Sequence, residues 1–191
     1  PEILPFIRDK INYGQATLIE NDSVLVFSAD INEPGGPLDL YYSELYSDGS
    51  WTEPEPLPAN INSQGNEMFP TGDGDTLYFS SDYLPGFGGF DIFKTYLRSD
   101  KSWSIPLNLG YGINSGGDEF SFIVDYHTKR KTNVSQQGYY TSSKAGSGKD
   151  DIFRFYKLEQ EVPVIIAEKE KSDEPKRDLF ITVRTYTPLY S

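Results

Sequence analysis

Asn66-Glu67-Met68-Phe69-Pro70-Thr71-Gly72-Asp73-Gly74-Asp75-Thr76-Leu77-Tyr78-Phe79-Ser80-Ser81 is the stretch that decides the fold. Two runs rich in strand-forming residues flank Asp73-Gly74, a dipeptide that favours a tight hairpin turn. In the second run Leu77 and Phe79 fall on one face, and Thr76, Tyr78 and Ser80 on the other. A Gly-rich loop, Pro85-Gly86-Phe87-Gly88-Gly89, leads to a third strand over about 90–96. A polar turn over 98–102 then leads to a fourth strand at Trp103 to Ile105. One unit of the chain therefore reads as four antiparallel strands.

The unit is repeated. Trp51 returns as Trp103, Phe27-Ser28 as Phe79-Ser80, Asp39-Leu40-Tyr41 as Asp91-Ile92-Phe93, and Ile61-Asn62-Ser63 as Ile113-Asn114-Ser115, each 52 residues on. Asn66-Glu67 returns as Asp118-Glu119. The first copy reads as strands over about 15–19, 24–28, 39–45 and from Trp51. A third copy has strands over about 119–124, 138–142 and 151–156, with 162–167 as its fourth. Its first hairpin loop is enlarged by the basic segment Lys129-Arg130-Lys131. Repeats near this length, built from short strands, predict the blades of a β-propeller. The fold expected is all-β, with blades over about 13–65, 66–117 and 118–167 in a propeller region spanning 1–167. A charged linker over 168–178 and the opening strand of a further β domain or tail over 179–191 follow. Closed propellers have about four to eight blades. Three therefore imply a larger ring, completed by more of a parent chain, by a second copy or partner, or by atypical elements in the ends.

Composition narrows the function classes. Aromatics are 15% of the chain and the net charge is −12. Such a charge repels phosphate backbones and argues against nucleic-acid binding. No stretch approaches the roughly 20 apolar residues that span a bilayer. The absence of Cys removes thiol catalysis, thiolate metal sites and disulfides. The chain opens at Pro1 without a basic and apolar leader, which implies a signal peptide that is absent or removed.

Asn66-Glu67-Met68-Phe69-Pro70, Asp75 to Asp82, Gly88-Gly89-Phe90-Asp91-Ile92-Phe93 and Trp103 to Gly110 resemble the TolB-type, WD-like propeller repeat. More narrowly they resemble the version found in Bacteroidota envelope proteins, and the resemblance covers about residues 13–157. In that family the propeller often precedes a small β domain and an OmpA-like peptidoglycan-binding domain. One relative of this layout is a periplasmic lipoprotein of the type IX secretion machinery. The resemblance implies a periplasmic protein, anchored to the outer membrane through an N-terminal lipid outside this sequence. It implies other envelope proteins as partners and a secretion or peptidoglycan-tethering assembly as the setting.

Candidate chemistry is sparse, and a non-catalytic protein–protein scaffold without cofactor or metal is the expectation. His127, the lone histidine, lies in the enlarged loop, and no Gly-x-Ser-x-Gly elbow accompanies it. Asp39, Asp91 and Asp151 share one repeat position, where each is expected to cap the preceding loop by accepting backbone N–H bonds. Trp51 and Trp103 are expected to pack between blades after short hairpin turns. Leu84 and Phe87 in the loop Tyr83 to Gly89, and Lys129, Arg130 and Lys131, are the partner contacts expected. Asp22-Ser23-Val24 and Asp75-Thr76-Leu77 fit the tripeptide that Bacteroidota use for O-glycosylation, which nominates Ser23 and Thr76. The rival expectation is a carbohydrate-binding or glycan-processing propeller, with exposed aromatics and paired carboxylates.

Overall fold

A computed structural model describes residues 2–144 and 150–159. Within them the chain forms eleven strands in three antiparallel sheets and no helix. The first sheet holds β1 (Tyr13–Ile19), β2 (Val24–Ala29), β3 (Asp39–Glu44) and β4 (Glu55–Pro56) in sequence order. The second repeats the plan with β5 (Glu67–Asp73), β6 (Thr76–Ser81), β7 (Asp91–Tyr96) and β8 (Leu107–Asn108). The third has β9 (Glu119–Val124), β10 (Val134–Ser142) and β11 (Asp151–Leu158). The strand expected over 162–167, the linker and the tail lie outside the described residues.

The fourth strands differ from the sequence reading. Trp51 and Trp103 make only single bridges, to Leu45 and Leu97. The paired strand begins a few residues later, at Glu55 and Leu107. Pro54 and Pro106 explain the gap: neither has an N–H to donate, so the ladder is interrupted between bridge and strand. Ser43 and Thr95 close the gap by donating their hydroxyls to the Thr52 and Ser104 carbonyls, at 2.7 and 2.8 Å.

Period-two alternation sends each strand's side chains to two different cores. Val24, Val26 and Leu40 meet Leu77, Phe79, Phe93 and Trp103 between the first and second sheets. From the opposite face of the second sheet, Tyr78 and Ile92 meet Phe122, Tyr140 and Phe155 of the third. The other face of the first sheet, with Phe27 and Tyr41, is covered by Phe6, stacked on Phe27 at 5.5 Å between ring centroids. Burying one such side chain contributes about 1.5–3 kcal/mol. Each sheet with two apolar faces thus needs a neighbour on both sides.

Candidate functional site

Neighbouring sheets are joined by a set of polar contacts that recurs with the repeat. Leu38 donates its N–H to Asn66 Oδ1 at 3.0 Å, and Glu67 donates back to the Leu38 carbonyl at 2.7 Å. One repeat later Phe90 donates to Asp118 Oδ1 at 2.9 Å and Glu119 to the Phe90 carbonyl at 2.6 Å. Asn62 and Asn114 lie on the links between sheets. Each accepts from the N–H of a β-strand residue (Leu40, Ile92) and donates to the same residue's carbonyl. The repeated Asn-Ser pairs and Asn66, Glu67 and their counterparts are thus the latches of the assembly.

Glu67 and Glu119 are fully buried charges at the start of β5 and β9. Ser63 and Ser81 donate hydroxyls to Glu67 Oε1, and the Ser63 amide donates to Oε2. Ser115 and Ser142 hold Glu119 in the same way. Charge-assisted bonds of this kind offset the desolvation of a buried carboxylate. Burial still pushes the Glu67 carboxyl up despite these donors. In the sequence alone the glutamates are repeat markers and nothing more. The fixed four-residue spacing from Ser to Glu is the signal that a local Ser–Glu cage exists.

At the loop end of the first sheet, Asp30, Asn32, Glu33, Pro37, Asp39, Ser63 and Gln64 line a cavity of about 260 Å³. Asp30 accepts from Gly35, Asn12 N–H and Asn12 Nδ2, which holds its carboxyl below the usual range. Asp39 behaves oppositely: burial, with added repulsion from Glu67, pushes it up to about 6.

The three repeat-position aspartates do not share one role. Asp91 caps its loop, accepting from Phe87 and Gly88 N–H at 2.8 and 3.1 Å. Asp39 accepts no such bond, which corrects the expectation for it. The physical reason is competition: the Gly35 N–H, equivalent to that of Phe87, is taken by Asp30. Asp151 starts β11 with its side chain half-buried. Trp103 is buried in the core between the first and second sheets, whereas Trp51 is half-buried against Phe27 and Tyr41 on the opposite face.

The expected contact residues are not brought together. Leu84 and Phe87 sit on the loop between β6 and β7; Lys129, Arg130 and Lys131 sit on the β9–β10 hairpin, at the opposite end of the sheets. Leu84 is half-buried and packs against the first core, so it serves the fold. Phe87 is 53% exposed, and Tyr83 and Tyr111 are exposed on loops at its end. Ser23 is half-buried and donates to the Glu20 carbonyl at 2.7 Å, and Thr76 is half-buried at the start of β6.

A second cavity, of about 310 Å³, opens at the hairpin end between the second and third sheets. Asp73 and Asp125, one repeat apart, both line it, with Lys94, Tyr126, Arg130, Gln136, Gln137 and Lys157. Tyr126 donates its hydroxyl to Asp73 Oδ1, and burial together with that bond pushes its phenol up to about 12. Hydrogen bonds from Thr128 hold Asp125 below the usual carboxylate range. His127 is exposed, and its amide donates to Asp125. Among the described residues no group of three or more His, Asp or Glu is placed to hold a metal ion. No protein-family model matches the chain, and no curated protein matches it.

Proposed function

We propose that the three sheets are consecutive blades of a β-propeller, and that the protein is a non-catalytic scaffold that presents its loop ends to other envelope proteins. One observation carries the reading. Leu40, Ile92 and Ile152 share one repeat position; the first two are 0% exposed and the third 79%. Leu40 and Ile92 are each covered by the following sheet. Ile152 lies on the equivalent face of the third sheet, with Ile123 exposed on the same face and Arg154 over the Tyr139 and Tyr156 rings. A face of this composition needs a neighbour, as the next blade of a ring supplies. That blade comes from more of a parent chain, from a second copy or another chain, or from atypical elements in the ends of this chain. The exposed aromatics Tyr83, Phe87 and Tyr111 at the loop end have the composition that protein interfaces favour. The family resemblance, and it alone, supports a periplasmic or outer-membrane setting within a secretion or wall-tethering assembly.

Site-specific photo-crosslinking in the native envelope tests both parts. A crosslinker at position 152 is expected to capture another part of the parent chain or a second copy. One at position 87 is expected to capture a different protein, and Phe87→Ser is expected to reduce partner capture without unfolding. A folded protein that crosslinks at neither position sinks the scaffold reading.

A further inference from the structure

The two outer sheets carry the two halves of one latch. Register sets the equivalences: Tyr13 pairs with Ala29 as Glu67 pairs with Ser81 and Glu119 with Ser142. Asn12, one residue earlier, is therefore the first sheet's counterpart of Asn66 and Asp118. Its N–H and Nδ2 donate to Asp30 at 2.8 and 2.6 Å, as those of Asn66 donate to Asp82 at 2.7 and 2.8 Å. At the two junctions Asn66 and Asp118 also accept from Leu38 and Phe90 of the preceding sheet. No preceding sheet stands opposite Asn12 among the described residues, and Asn12 is exposed. At the far end, Asp151 pairs with Ser142 as Asp91 pairs with Ser81. Asp150, also exposed, is thus the counterpart of Leu38 and Phe90, whose N–H and carbonyl reach the next sheet.

Residues 2–12 follow the path of a link between sheets. Leu57 and Ile61 enter the core between the first and second sheets, and Leu109 and Ile113 the core between the second and third. Leu4-Pro5, which matches Leu57-Pro58, enters with Phe6 the core on the other face of the first sheet. The two residues ahead of Leu57 and of Leu109 are the fourth strands β4 and β8. Glu2 and Ile3 hold that place ahead of Leu4, and both are exposed. The third sheet has no fourth strand among the described residues. Its open face repeats the covered face of the second sheet pair by pair. Tyr139 opposite Arg154 stands for Tyr78 opposite Lys94, and Thr141 opposite Ile152 for Ser80 opposite Ile92.

We propose that a second copy of this chain closes the ring, the third sheet of each copy packing on the first sheet of the other. This rests on the propeller reading above and names its missing neighbour. Glu2 and Ile3 of one copy extend the other copy's third sheet along the edge of β11. Glu55 pairs with Tyr42 and Leu107 with Lys94, so Glu2 falls opposite Arg154, a carboxylate against a guanidinium. Asp150 of one copy donates its N–H to Asn12 Oδ1 of the other, and its carbonyl accepts from the Tyr13 N–H. These bonds repeat those of Leu38 with Asn66 and Glu67. Latch, strand and open edge are all carried by the one chain, so no other partner is needed. Two copies of three sheets make six blades, within the range of about four to eight that close. The interface joins different patches of the two copies, and ring closure keeps it from growing into filaments.

Light scattering of the whole chain is expected to give twice its 21.6 kDa. Ile152→Asp, at an exposed position, should weaken the dimer about tenfold or more by burying an unpaired charge. The chain has no Cys, so introduced thiols report contacts cleanly. Asn12→Cys and Asp150→Cys, mixed and allowed to exchange, should form a disulfide between chains, while neither variant does so alone. Leu38→Cys with Asn66→Cys in one chain is the control and should close within that chain. A monomer, or equal crosslinking by the single variants, overturns the second copy. So does a dimer that neither crosslinks in the mixture nor responds to Ile152→Asp, since it packs by another face. If the control closes while these tests fail, only the second copy falls. If the control also fails to close, the latch between sheets falls, and the propeller reading with it.

Discussion

The junction between the first and second sheets and the junction between the second and third are built from the same repeat but end differently. At the hairpin end of the first junction the backbones touch. A side chain on Gly72 would run into the Leu18 carbonyl and the Ile19 side chain, and the Gly72 N–H donates to Thr17 Oγ1 at 2.9 Å. Glu20 donates its N–H to the Gly74 carbonyl at 3.2 Å, and Lys101 reaches back to Glu20 at 2.6 Å. At the second junction the residue in Gly72's place is Val124, which pairs with Gly138 as Gly72 pairs with Leu77. Sheet-to-sheet contact there is carried deeper, by Tyr78 of the second sheet 4.6 Å from Phe122 of the third between ring centroids, with Phe155 stacked on Phe122 within the third sheet. The polar cavity occupies the end left open. One glycine and one insertion thus separate a closed structural seam from an open one.

Breaking each junction at its core should give the largest effects. Phe122→Ala, which empties the aromatic stack of the second junction, is expected to cost about 4 kcal/mol in urea denaturation. Gly72→Val is expected to cost about 3 kcal/mol, because it overpacks a backbone contact with no room to relax. Val124→Gly at the second junction should cost only about 1–2 kcal/mol, for one lost side chain and a more flexible strand. Equal costs for Gly72→Val and Val124→Gly would show that the two ends are not built differently after all.

A smaller effect separates Asp39 from Asp91. The folded chain holds the Asp39 proton more tightly than the unfolded chain, since its pKa rises from 3.8 to about 6. Its contribution to stability is therefore present below about pH 4 and is lost as pH rises through about 6. Asp39→Asn should stabilise the protein at pH 7 by about 1 kcal/mol, after allowing for solvent screening of a half-exposed group, and by nothing at pH 4. Asp91→Asn should destabilise it instead, since the charged acceptor of the Phe87 and Gly88 amides is weakened. A gain for Asp39→Asn that persists at pH 4 would point to packing rather than charge.

Smallest of all, Lys101→Ala should cost under about 0.5 kcal/mol, and the cost should fade in high salt, because the pair with Glu20 is exposed. A salt-independent loss would mean that the Glu20 turn, where Glu20, Asn21 and Asp22 all have positive φ, depends on Lys101.

Much of this architecture is legible in the residues alone. The 52-residue recurrence, the Asp73-Gly74 turn and the alternation through Leu77, Tyr78 and Phe79 specify sheets of antiparallel strands, because these signals act over a few neighbouring residues. The hairpin turns before Trp51 and Trp103 are equally local: Asp48 and Asp100 accept from the amides two residues on, at 2.9 Å in both. Other features depend on residues far apart in the chain. Asp39 and Asp91 occupy one repeat position, yet a competing acceptor, Asp30, decides which of them caps its loop. Leu84 looks like a loop hydrophobe free for a partner until the first core is assembled beneath it. Leu40, Ile92 and Ile152 are interchangeable as sequence, yet among the described residues a following sheet covers the first two and leaves the third exposed. The cavity is the clearest case. Asp73, Lys94, Tyr126 and Gln137 come from four separate segments, and no local rule brings them together. Sequence determined the strands and their repetition, since hydrogen-bonding pattern and side-chain period are properties of short segments. The tertiary structure decided which repeated positions became latch, core or binding surface, since burial, competition for hydrogen bonds and charge proximity exist only once the sheets are packed.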